Sequence, residues 1–269
     1  MISKKDPLVS ILINNYNKER FCIKSVKSAI NQEYKKVEVI FYDDCSSDHS
    51  VNKIEKYKRK FKIKKLKIIK NKIRQNVFSY NQIEGIKKSS FKSKGKIICL
   101  LDSDDFFKKN KIKLITNFFI NNKQISSLFD LPIYKYKNKL KLIKNKKNFI
   151  SNYWPYIPPQ SCIVMKRDDF VKMFKKINFD LFPNIWMDFR IGLYLKYIKR
   201  DFNILDKNLT YYRQSQGMIS SNFKFLSFAW WRRRKQAHDY VQYFFHKNTI
   251  NHTKNLDYLL TNLIYFFIK

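Results

Sequence analysis

Five apolar residues in a row, Ile97-Ile98-Cys99-Leu100-Leu101, run straight into Asp102, Asp104 and Asp105. An unbroken apolar run containing β-branched residues, without polar alternation, predicts a strand buried on both faces. That burial requires a largely parallel sheet with helices on either side. The carboxylates then stand at the C-terminal end of the strand, the edge where open α/β sheets receive ligands. Clustered hard oxygen ligands at such an edge suit Mg²⁺ or Mn²⁺ carrying a phosphorylated molecule. Asp is also a favoured turn and cap residue, so an acidic turn feeding the next helix is the competing reading of the same stretch.

The chain before this junction repeats one unit. Strands are predicted over 8–13, 37–42 and 66–70, helices over 20–32, 48–60 and within 76–90, and the strand at 97–101 closes the series. Strand–helix alternation over about a hundred residues predicts βαβ units with right-handed crossovers. Beyond it, the pattern predicts a helix over 108–121, short strands near 125–129 and 133–136, and a basic loop over 135–148. Trp154-Pro155-Tyr156-Ile157-Pro158-Pro159 is barred from helix by its prolines. A strand over 161–165, a helix over 167–176, a helical period over 185–195 that carries Asp188, and a strand over 209–213 follow. From Phe223 onward the chain turns aromatic and basic, as in Trp230-Trp231-Arg232-Arg233-Arg234.

The net charge of +35 would ordinarily point to nucleic acid or an anionic membrane. Only ten of the 56 basic residues are arginine, however, and the lysines are spread along the chain. Arginine is the residue that reads phosphates and bases bidentately, so a specific nucleic-acid module is not expected. Cys22, Cys45, Cys99 and Cys162, like His49, His238, His246 and His252, show no metal-binding spacing. The start of the chain is polar, and no apolar run reaches the ~18 residues of a bilayer span. A cytoplasmic location is therefore expected, with any membrane contact peripheral, on the inner face.

Three blocks are identified together. Val9-Ser10-Ile11-Leu12-Ile13-Asn14-Asn15-Tyr16-Asn17, Asp43-Asp44-Cys45-Ser46-Ser47-Asp48 and Leu101-Asp102-Ser103-Asp104-Asp105 resemble, in order and spacing, family 2 glycosyltransferases with the GT-A fold. The resemblance departs between Asn76 and Gly95, where the family's short Arg-Asn-x-Gly-type segment is replaced by Tyr80-Asn81-Gln82-Ile83-Glu84-Gly85 and a Lys/Ser-rich link. It implies an α/β, Rossmann-like GT-A domain over 1–221, with a nucleotide-sugar half over 1–110 and an acceptor half over 111–221. A helical extension over 222–269 follows.

The resemblance also implies chemistry: inverting, metal-dependent transfer from a nucleotide sugar, a UDP-sugar favoured, to a glycan or lipid-linked acceptor. Asp102, Asp104 and Asp105 would hold Mg²⁺ or Mn²⁺, with Asp105 the nearest match to the metal ligand and Asp104 to a ribose or metal contact. Asp44 matches the reader of the base edge, Asn14 and Tyr16 the loop that frames the base, and Asp43 a support for that turn. Asp188 matches the catalytic base, with Met187 in the preceding position where the family commonly has Glu. Arg213 or Ser220 would touch the diphosphate, and Ser215 stands where His is common. Trp154 and Tyr156 offer a sugar-stacking wall, or else pack in the core. The extension either lies in a membrane interface or packs on the domain or a second subunit, and oligomerisation is left open. A catalytically silent GT-A-like binding or assembly module at the membrane face is the alternative to an enzyme.

Overall fold

In the computed structural model, residues 6–137, 139–145, 154–177, 179–214, 223–252 and 254–268 are described. Ser220 and Ser215 lie outside them, as does part of the basic stretch before Trp154. The repeated unit forms β1 (Val9–Asn15), α1 (Cys22–Ile30), β2 (Val37–Asp43), α2 (Ser50–Lys60), β3 (Leu66–Lys70), α3 (Phe78–Lys92) and β4 (Ile97–Asp102). These four strands are parallel, in the order β3-β2-β1-β4.

Side chains alternate across a strand, and both faces are covered. Val9, Ile11 and Ile13 of β1, with Cys99 and Leu101 of β4, pack in one core with α1. Leu12, Ile98 and Leu100 face the opposite core with Ile83 and Ile86 of α3. Helix α3 approaches so closely at Gly85 that a Cβ there would lie 2.7 Å from the Tyr42 ring and 2.8 Å from Asn14 Oδ1.

The sheet then becomes mixed. It continues through β5 (Phe106–Phe107), α4 (Lys111–Asn121), β6 (Ser127–Lys135), β7 (Leu140–Leu142) and a 3₁₀ turn at Gln160–Cys162. After these come β8 (Ile163–Lys166), α5 (Arg167–Lys176), α6 (Met187–Leu193) with a π turn at Tyr194–Lys199, and β9 (Ile204–Arg213). Strand β8 runs antiparallel to β4 and β6, whereas β6 and β9 are parallel. One strand thus replaces the two short ones expected near 125–136. Pro132 has no N–H to give the ladder, and the register shifts at Leu131/Pro132 accommodate it. Its carbonyl still accepts from Asn208 Nδ2 at 2.9 Å. Part of the basic stretch expected as loop forms β7 on the edge of β6.

A buried ion pair joins these elements: Lys111 Nζ lies 2.6 Å from Asp130 Oδ1, both side chains fully buried. The same ammonium donates to Ser161 O at 2.9 Å and Thr210 Oγ1 at 2.7 Å.

Helix α7 (Phe228–Lys247) is capped by Ser227, whose side chain accepts from Trp230 N. Its Tyr240, Val241, Phe244 and Phe245 form a third core with Ile185 and Leu193. The extension is therefore packed on the domain. Helix α8 (Leu256–Ile268) lies against α7 and leaves Leu263 56 % and Phe266 and Phe267 each 76 % exposed.

Candidate active site

A cavity of about 480 Å³ opens at the C-terminal ends of the parallel strands. At one end, Asn14 stands at the end of β1, just before the loop carrying Tyr16, and its Nδ2 donates to Gln82 O at 2.8 Å, tying this strand end to α3. Asp43 accepts from Asn15 Nδ2, Ser46 Oγ and Ser46 N, so its carboxylate holds the turn together. Its neighbour Asp44 lines the cavity. Asp44 accepts from Arg74 Nε at 2.8 Å and Asn71 Nδ2 at 3.0 Å. The Arg74 guanidinium lies 3.5 Å from the Tyr16 ring centroid and 4.9 Å from that of Phe78. A flat cation over an aromatic face, with a hydrogen-bonding carboxylate beside it, matches what a planar heterocycle needs.

In the middle of the cavity, Asp102 Oδ1 accepts from Gln160 Nε2 at 2.7 Å, and Asp104 Oδ2 lies 2.8 Å from Lys18 Nζ. Burial, with Asp104 and Asp188 alongside, pushes Asp102 up to about 7. Asp188 lies in the first turn of α6, and its Oδ1 accepts from Phe189 N at 2.8 Å. Burial raises its pKa as well, while the Arg233 guanidinium opposes the rise. A carboxylate raised in this way is a better proton acceptor than a solvated one.

Asn14, Tyr16, Asp44, Asp102, Asp104 and Asp188 thus meet in one cavity. Three other expected residues do not line it. Asp105 is only 1 % exposed. Its Oδ2 accepts from Ser161 Oγ at 2.7 Å and its Oδ1 from Arg213 N at 2.8 Å. Burial and the charges of Asp104 and Asp102 hold its pKa far above the carboxylate range. It clamps the turn after β4 to the 3₁₀ turn before β8 and to the end of β9, because the chain turns at Ser103 and sends the Asp104 and Asp105 side chains to different partners. Arg213 belongs to the same clamp, with its Nε on Asp104 O and its guanidinium over Phe21. Trp154 packs between Phe189 and His238 in the third core, so it is not a cavity wall.

The structure also adds residues. Arg74 had one available signal, an arginine among lysines just after β3. Lys18 and Trp186 come from loops, Tyr212 from the end of β9 and Arg233 from α7, and nothing in their local sequence places them in the cavity.

Of the three aspartates expected to hold a metal, Asp102 and Asp104 line the cavity and Asp105 does not. Two carboxylates facing one cavity, with Asp102 carrying an unfavourably buried charge, fit a Mg²⁺- or Mn²⁺-type ion, whose other ligands are waters and phosphate oxygens.

The family model described as Glycosyl transferase family 2 matches residues 10–190, a span that contains every one of these carboxylates. The chain belongs to that family.

Three similar proteins place this family 2 chain further. It is 27 % identical over 231 residues to the Escherichia coli UDP-Glc:alpha-D-GlcNAc-diphosphoundecaprenol beta-1,3-glucosyltransferase WfaP, covering 80 % of each. Staphylococcus aureus TarS 1–349 in complex with UDP-GlcNAc aligns at TM-score 0.60 and 17 % identity, over 86 % of this chain and 65 % of that one. The mannosyltransferase PcManGT of Pyrobaculum calidifontis, in complex with GDP-Man and Mn²⁺, aligns at TM-score 0.59 and 11 % identity over 96 % and 70 %. These two structures share the GT-A fold with it. The chain spans 64 % and 21 % of the length of the first two curated relatives it matches.

Proposed function

We propose that this chain transfers a sugar from a nucleotide-diphosphate sugar, a UDP-sugar favoured, to a hydroxyl of a lipid-linked or glycan acceptor, with inversion at the anomeric carbon. The observation that carries the reading is that Asp102, Asp104 and Asp188 face one cavity whose far end is formed by Tyr16, Asp44 and Arg74. Asp44 accepts a hydrogen bond from the base edge, and the Tyr16 and Arg74 faces hold the base plane. Asp102 and Asp104 would hold a divalent ion, which when bound neutralises charge developing on the diphosphate. Asp188 takes the proton of the acceptor hydroxyl. The acceptor oxygen bonds to the anomeric carbon as the bond to the diphosphate breaks on the opposite face, and the diphosphate departs with the electron pair.

WfaP supports a lipid-linked acceptor. No described helix is long and apolar enough to cross a membrane. The exposed apolar face of α8 joins Phe228 of α7, which stacks on Tyr265. Lys224 and Arg232, each four residues from Phe228 in sequence, are both exposed. Exposed apolar side chains with cations close by in sequence match an anionic bilayer surface, and this patch is where such a surface would be met.

The test is a thermal-shift series with UDP and GDP, each with and without Mn²⁺, followed by turnover of the matching nucleotide sugar. A nucleotide that binds the native state raises its melting temperature. Unchanged melting with all four combinations would remove the reading.

A further inference from the structure

Among the described residues, three cationic side chains line the cavity, and two of them are matched. Lys18 sits 2.8 Å from Asp104, and Arg74 sits 2.8 Å from Asp44. The third, Arg233, comes from α7, beyond the span matched by the family model. Its guanidinium packs 4.8 Å from the Phe223 ring centroid and 5.7 Å from that of Trp186. Neither ring neutralises it, and no carboxylate of a described residue forms an ion pair with it. A half-buried guanidinium without a paired anion is costly, and its planar fork suits a phosphate.

Its position is fixed. Gln236, one turn along the same face of α7, accepts from Asn184 N at 3.0 Å, two residues before Trp186. The third core holds the rest of α7 in place. Arg233 is therefore set against the segment that delivers Asp188. Its contact with Trp186, two residues before Asp188, puts the cation on the Asp188 side of the cavity.

We propose that Arg233 forms an anion subsite for the acceptor, binding the phosphate of a phosphate- or diphosphate-linked sugar whose hydroxyl is presented to Asp188. This rests on the function proposed above and names the class of acceptor.

The experiment titrates the full chain, saturated with UDP and Mn²⁺, with N-acetylglucosamine 1-phosphate and with the neutral methyl glycoside of N-acetylglucosamine. The parent should bind the phosphate at least about tenfold more tightly, the scale of one charge-assisted hydrogen bond. Arg233→Gln should erase that preference with UDP affinity unchanged, Arg233→Lys should keep part of it, and Arg232→Gln at the exposed neighbour should keep all of it. No preference in the parent, or a preference that survives Arg233→Gln, overturns the subsite. Its loss in Arg232→Gln overturns it too, since net charge would then be responsible. A matching loss of UDP affinity in Arg233→Gln assigns the guanidinium to the donor and equally overturns it. If the parent binds neither UDP nor GDP, the underlying function falls, a result distinct from each of these.

Discussion

The parallel half of the sheet and the mixed half contribute to the cavity in different ways. In β1, β2 and β4 the site residues sit at or just past strand ends whose register is set by neighbouring parallel strands, so Asn14 and Asp102 lie opposite each other in the ladder. Asp188, Tyr212 and Arg233 instead reach the cavity from a helix start, a strand end and the extension. Their positions depend on packing among α6, β9 and α7. The first half is positioned by backbone pairing and the second by side chains. Mutations should therefore separate binding of the donor, carried by the first half, from turnover and integrity, which depend on the second.

The largest expected effect is on chemistry. Asp188→Asn should lower turnover by about 10²–10⁴-fold, the usual contribution of a positioned base, while leaving UDP–Mn²⁺ affinity near the parental value. Full turnover in that variant, measured alongside calorimetric titration, would remove the base from the acceptor side.

Next comes the joint within the mixed half. Lys111→Ala strands Asp130 in a fully buried site and should cost about 3–5 kcal/mol in denaturant unfolding, the penalty for breaking a buried pair from one side. A cost below about 1 kcal/mol would show that this half does not depend on the pair.

Adjacent carboxylates supply a sharper test. Asp105→Ala leaves Ser161 Oγ and Arg213 N without their acceptor and should lower stability by about 1–3 kcal/mol. Asp104→Ala should melt near the parent and lose Mn²⁺-dependent UDP binding. Exchange of these two phenotypes would mean that Asp105, not Asp104, faces the ligand.

The smallest effect is on pH dependence. The folded pKa of Asp102 is raised to about 7 from its ordinary value of 3.8. Its contribution to stability is fully present below 3.8 and is lost as pH rises through about 7. A divalent ion binds the deprotonated form. The gain in melting temperature from Mn²⁺ with UDP should therefore be larger at pH 8 than at pH 6, and a pH-independent gain would separate Asp102 from the ion.

The same contrast explains what the sequence revealed. The first four strands were legible because burial on both faces leaves unbroken apolar runs, and Asp44, Asp102 and Asp104 sit where those runs stop. Three aspartates within four positions look alike in sequence; only the turn at Ser103 separates Asp104, facing the cavity, from Asp105, facing the clamp. Trp154 has the composition of a sugar platform, but its neighbours Phe189 and His238 come from distant segments. The single strand through Pro132 was hidden because proline ordinarily ends a ladder, and here the register shifts around it. Arg233 stood out only as part of the aromatic and basic run at 230–234, and its place in the cavity is set by where α7 packs.

Strand β7 has a consequence for how copies of the chain behave towards one another. It pairs only with β6 among the described residues, and Leu140 and Leu142 are mostly exposed along it. An open edge with apolar side chains is a template for self-association. The local sequence is Lys139-Leu140-Lys141-Leu142, so two such edges brought together would set ammonium against ammonium. Here the lysine excess acts as colloidal protection. Salt that shortens the reach of those charges should promote aggregation through this edge before it affects the fold.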